Sequence, residues 1–128
     1  QVTKGLLKGV LDTLKSSGVH SNNIVIQYVP GSFELIFGAK KLQTSAVDAV
    51  IAVGCIIQGE TKHFDYVCQG VTQGIKDLNV LYDTPVIFCV LTDNNLQQSL
   101  DRSGGKHGNK GVEAAVTALK MVALNKSL

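Results

Sequence analysis

Charge is scarce in this chain and nearly balanced. Charged residues make up 17% of 128 positions, and twelve Lys and Arg against ten Asp and Glu leave a formal net charge of +2. That is too little to argue for a nucleic-acid partner, and no basic stripe with interleaved aromatics occurs. The three cysteines, Cys55, Cys68 and Cys89, show no CxxC or CxxH spacing, so nothing points to a zinc site. They are odd in number and lie in apolar stretches, which reads as buried thiols in a reducing compartment. Long hydrophobic runs are missing as well. The two longest, AVIAVGCII and PVIFCVL, fall far short of the ~20 residues of a membrane span. No secretory signal precedes the first helical pattern. These absences suit the cytoplasm, and equally a plastid stroma. No initiator Met stands at position 1, which reads as a processed or trimmed start.

What is present is a globular composition with 45% apolar residues, enough for a real core in a single domain over residues 1–128. Leu6, Leu7, Val10, Leu11 and Leu14 recur at helical spacing, predicting an amphipathic helix over residues 2–17 with Gly18 as its stop. NNIVIQYV reads as a short strand broken by Pro30-Gly31, and SFELIFGAKKL as a second helix. AVDAVIAVGCII and PVIFCVLT lack clean alternation, as expected of strands buried on both faces. A third helix is expected over residues 61–78, with Gly70 and Gly74 allowing close packing against the sheet or a neighbouring subunit. NNLQQSLDRSG predicts a short helix, GGKHGNKG a glycine-rich loop, and residues 109–125 a last helix. Strands alternating with helices imply an α/β fold with a parallel sheet of three strands. No repeat, linker or low-complexity segment interrupts it.

Ligands of open parallel sheets gather at the carboxyl ends of strands. Three such ends are YVPGSFE, GCIIQGETKH and FCVLTDNN. In the second, Gly59 allows close backbone approach, and the N–H groups of Glu60 and Thr61 open a helix where an anion is favoured. Thr61 can cap that helix or donate to a phosphate. His63 is pulled two ways: a helix N-terminus disfavours imidazolium and a bound phosphate favours it, which suits acid–base work near neutrality. The same residues would also serve as an ordinary cap with a surface histidine. Phe33 could stack on a flat heterocycle and Glu34 accept from hydroxyls, or they could be a core ring and a first-turn helix charge. DRSGGKHGNKG fails the GxxxxGK[ST] pattern, since Gly111 follows Lys110. Arg102, Lys106 and Lys110 could still meet a phosphate, or the segment could be a solvated connection.

VPGSFEL, GCIIQGETKHFDYV, PVIFCVLT and DRSGGKHGNKGVEAA, in this order and spacing, resemble the lumazine synthase family over essentially the whole chain. The resemblance implies a flavodoxin-like three-layer α/β/α fold. It implies condensation of a ribitylamino-pyrimidinedione with 3,4-dihydroxy-2-butanone 4-phosphate to 6,7-dimethyl-8-ribityllumazine, in riboflavin biosynthesis, with neither metal nor organic cofactor. A non-catalytic flavin- or lumazine-binding or shell-forming relative is the alternative. By the same resemblance, Ser32, Phe33, Glu34, Cys55, Ile56 and Ile57 hold the pyrimidine and ribityl chain. Gly59, Glu60 and Thr61 form the phosphate turn, and His63 transfers protons. Phe88, Arg102 and Lys110 reach the site from an adjacent subunit, with Arg102 on the phosphate. Homopentamers are implied, stacking in some members into decamers or sixty-subunit shells, with riboflavin synthase as a further partner. The family carries an additional N-terminal strand, a fourth, that this sequence does not show, and Gln58 stands where many relatives have a cation.

Overall fold

The computed structural model describes residues 1–128. Its centre is a parallel pair, β1 (Val50–Ile57) and β2 (Val86–Asp93), in register from Val50 opposite Val86 to Ile57 opposite Asp93. Helix α3 (His63–Leu81) is the crossover between them. Helices α2 (Leu35–Gln43) and α3 cover one face, and α1 (Val2–Ser16) and α5 (Lys110–Ser127) cover the other. Alternate strand residues serve the two faces. Val50, Ala52, Val86 and Val90 join Ala39, Val71, Ile75 and Leu78 in one core. Ile87, Cys89 and Leu91 join Val2, Leu6, Ala114 and Ala118 in the other. This is why the two strand sequences are apolar over most of their length: both parities are largely covered, with Phe88 and the strand ends as exceptions. The three-layer α/β/α arrangement is the one implied by the resemblance.

The helices follow their sequence patterns closely. Gly18 adopts φ +95 just beyond α1, where its N–H donates to the Lys15 carbonyl and that of Val19 to Leu14. A β-carbon would be strained there, so the glycine terminates the helix in a Schellman turn. Helix α3 sits close to α2 because of Gly74: a β-carbon there would collide with the Ile36 side chain, and one at Gly70 would press on the Phe33 ring. The close approach is thus between helices, not against the sheet.

The sheet differs from expectation in one strand. Residues 24–29 pair with nothing, and the parallel sheet has two strands, not three. A 3-10 turn (Ser21–Asn23) leads into this stretch, and Ile24 is extended. The β-branched pattern favours extended backbone, but a strand also needs a partner edge within hydrogen-bonding reach. Here Gln27 and Val29 stand across a cavity of about 40 Å³ from Val50, Ile51 and Ala52, with Leu35 and Leu42 also lining it. The outer edge of β1 is therefore open. A second difference is a gain. The glycine-rich segment forms a small antiparallel hairpin, β3 (Ser103–Gly105) and β4 (Gly108–Asn109), after the short helix α4 (Leu96–Arg102). Two of its glycines, Gly104 and Gly108, take positive φ.

Candidate active site

The register of β1 with β2 brings the carboxyl ends of both strands together, and the Gln58 N–H continues the pairing onto the Asp93 carbonyl at 2.9 Å. Beyond β1 lies a cavity of about 320 Å³. Its wall combines Ser32, Cys55, Ile56 and Ile57 with Gly59, Thr61 and His63, and with Phe64 and Val67 of α3. Ser32 is tied to the strand end, donating its hydroxyl to the Cys55 carbonyl at 3.4 Å. Seven of the residues singled out from the sequence therefore converge. The two additions, Phe64 and Val67, are apolar residues one helical turn apart on the first turns of α3. The helical period marks their face as inward, but nothing in it distinguishes a cavity wall from core.

Helix α3 begins at His63, with Lys62 as its cap position and no side-chain cap. Thr61 acts one step earlier, its Oγ1 accepting the His63 N–H at 3.3 Å. The hydroxyl proton and the imidazole both remain free for a ligand, at the positive end of a 19-residue helix dipole. At Gly59, φ is not positive and a β-carbon would meet nothing, so the free chain places no steric demand on that position. Room there is room for a ligand to touch backbone.

Other expected residues lie outside this cavity. Glu60 is exposed on the turn beside it. Phe33 is half-exposed and lies against α3 at Gly70; Glu34 caps α2 without a side-chain hydrogen bond. Phe88 is 41% exposed although it falls between Val86 and Val90 in the middle of β2. Lys110 opens α5 and pairs with Glu113 at 3.2 Å. Arg102 ends α4, where its Nη1 donates to the Gln98 carbonyl at 3.1 Å. Phe88, Arg102 and Lys110 do not line the cavity of their own chain.

The reading of three buried thiols is corrected. Only Cys89 is fully buried; Cys55 and Cys68 are partly exposed. Cys55 is at the cavity because the strand end opens there. Its thiol donates to the Ser99 hydroxyl at 3.3 Å. Cys68 has its pKa raised by burial and then by the Asp65 carboxylate. Burial pushes Cys89 up to about 11, with Lys110 opposing and Glu113 reinforcing the shift. Neither thiol is poised as a nucleophile.

A doubly covered parallel sheet with a cavity at its strand ends, lined by a histidine and a hydroxyl at a helix N-terminus, is the architecture of an α/β enzyme. A sequence model described as 6,7-dimethyl-8-ribityllumazine synthase matches residues 1–126. Relatives of that name include one from Flavobacterium johnsoniae, 65% identical over 126 residues, covering 98% of this chain and 66% of the relative. Another, from Christiangramia forsetii, is 64% identical over 128 residues, covering 98% of this chain and 76% of the relative. A third, from Parabacteroides distasonis, is 60% identical over 122 residues, covering 94% and 76%. The chain belongs to the 6,7-dimethyl-8-ribityllumazine synthase family, transferases of riboflavin biosynthesis. It spans 66% to 76% of the length of these relatives. No helix is long and apolar enough to cross a membrane.

Proposed function

We propose that this chain condenses 5-amino-6-(D-ribitylamino)uracil with 3,4-dihydroxy-2-butanone 4-phosphate at the cavity beyond β1, using His63 for proton transfer. The observation that carries this reading is the convergence of His63, Thr61, Ser32 and Cys55 on one cavity of about 320 Å³. The amine of the pyrimidine attacks the ketone carbonyl, and water leaves to give an imine. Loss of a proton from the adjacent carbon then expels phosphate. The resulting enol takes up a proton on its terminal carbon to become a methyl ketone, and the ribitylamino nitrogen adds to that carbonyl and closes the ring with loss of a second water. Each step moves protons, and His63 is placed to accept and return them. The polar turn from Gly59 to Thr61 faces the phosphate, and Ser32 with the backbone of Cys55, Ile56 and Ile57 holds the pyrimidine. Phe33 and Glu34 extend that surface towards the ring and the ribityl hydroxyls.

Phe88, Arg102 and Lys110 complete the site from an adjacent subunit of a homopentamer, with Arg102 on the phosphate. Their absence from the cavity of their own chain supports this division, as does an exposed Phe88 in the middle of a central strand. The hairpin of residues 103–109 is tight, and a compact segment there suits further stacking of pentamers into decamers or shells.

The test is absorbance-monitored formation of the lumazine. His63→Ala is expected to lower kcat by about tenfold to a hundredfold. That is at or below the low end of general acid–base contributions, because proximity of two bound substrates carries much of the acceleration. Arg102→Ala is expected to raise KM for the phosphate substrate and leave that for the pyrimidine nearly unchanged. An unaltered kcat in His63→Ala would remove the histidine from the mechanism.

A further inference from the structure

One carboxylate at the strand ends has no part in the reaction as drawn. Asp93 is the last residue of β2, and its side chain is only 12% exposed. Its Oδ2 accepts the hydroxyl of Ser99 at 2.8 Å, and Ser99 is completely buried. The Ser99 oxygen is in turn held by the Cys55 thiol. The other oxygen, Oδ1, lies 3.8 Å from Nη1 of Arg102. The same Nη1 also donates to the Gln98 carbonyl at 3.1 Å. One edge of the guanidinium thus has two anchors on the protein, while the Arg102 side chain stays 40% exposed.

A carboxylate beside a phosphate-binding cation opposes the phosphate by charge. Its burial and its tie to a fully buried serine give it a different use, as a fixed stop against which a long, rotatable side chain is held. We propose that Asp93, braced by Ser99, is a positioning residue that presents the Arg102 guanidinium to the substrate phosphate. This rests on the reading of Arg102 as the phosphate anchor. Orientation and charge make opposite predictions for removal of the carboxylate. If orientation dominates, an isosteric neutral side chain weakens phosphate-substrate binding; if charge repulsion dominates, it strengthens it.

The experiment is steady-state kinetics of the assembled enzyme with Asp93→Asn, Arg102→Ala and the double variant, with inorganic phosphate as a competing anion. Asp93→Asn is expected to raise KM for 3,4-dihydroxy-2-butanone 4-phosphate and Ki for phosphate by about three- to fivefold, the scale of a partly exposed coupled pair. The KM of the pyrimidine should hold. In the Arg102→Ala background the same change should have no further effect, because Asp93 acts only through Arg102. Ser99→Ala keeps the carboxylate but frees it, and should move both constants the same way by less; it carries the test should Asp93→Asn not fold. A lower KM in Asp93→Asn, an unchanged one, or an equal loss with and without Arg102 would each overturn the positioning role. An Arg102→Ala variant with unaltered phosphate-substrate KM would show instead that the anchor reading itself is wrong, and the positioning role would fall with it.

Discussion

Single residues in this molecule are set apart by what surrounds them and not by their type. Cys89 shows this most sharply. It sits in the middle of β2 among Ile87, Leu91, Ala114 and Ala118, and its thiol is pushed from an ordinary 9.0 to about 11. A raised thiol pKa means that the folded state favours the neutral form. Its contribution to stability is complete below pH 9, and it is lost as the pH rises towards 11, because the unfolded chain releases its proton first. Over that window the loss from this group amounts to about 2–3 kcal/mol at most. Denaturant titrations at successive pH values should therefore show a shallower alkaline decline in Cys89→Ala than in the parent. Parallel declines would mean that the thiol does not ionise differently on folding. Gln43 is another residue defined by place. It is buried at the end of α2, and its Nε2 donates to the carbonyls of Leu78 and Thr84, tying α2 to the end of α3 and the turn before β2.

Between elements, the governing contact on the cavity side is α2 against α3. Replacing a mid-helix glycine with alanine normally stabilises a helix by about 1 kcal/mol. At Gly74 the added methyl would overlap the Ile36 side chain. Overpacking of this kind costs about 1–3 kcal/mol. We expect Gly74→Ala to destabilise the protein by about 1 kcal/mol, and to become neutral or stabilising in an Ile36→Ala background. Urea unfolding of the four proteins measures this coupling directly. A stabilising Gly74→Ala in the parent would show that the helices separate freely. Because α3 carries His63 at its start, with Thr61 just before it, a shift of this helix is a shift of the candidate site.

At the scale of the whole molecule, the single subunit leaves much apolar surface uncovered. Phe33, Tyr66, Val80, Leu81, Phe88, Val112 and Val116 are all exposed. Exposed apolar side chains of this kind are expected at the subunit contacts of an oligomeric family. Sedimentation of the protein should give a mass that is a multiple of five subunits, and Phe88→Glu should lower it while abolishing turnover. A monomer that retained full activity would sink the shared-site reading.

Much of the architecture was legible in sequence because burial leaves a periodic trace. The unbroken apolar runs of β1 and β2 and the 3.6-residue spacing of α1, α3 and α5 follow from which faces exclude water, and the structure has each of them. The turn from Gly59 to Thr61 and His63 was legible too, since a polar stretch between a buried strand and a helix start is local in the chain. Pairing was not. Residues 24–29 have the composition of a strand, yet whether they join a sheet depends on an edge supplied from elsewhere in the chain. The partial exposure of Cys55 and Cys68 escaped for the same reason, whereas the hairpin escaped because its short strands are mostly glycine and carry no apolar alternation. The sequence by itself determined the five helices and the two central strands with their two-faced burial, because each depends on near neighbours. Only the tertiary structure decided the two-stranded sheet, the addition of Phe64 and Val67 to the cavity wall, and the link from Cys55 through Ser99 and Asp93 towards Arg102. These join residues far apart in sequence, and contact between distant residues is set by packing, which no local pattern encodes.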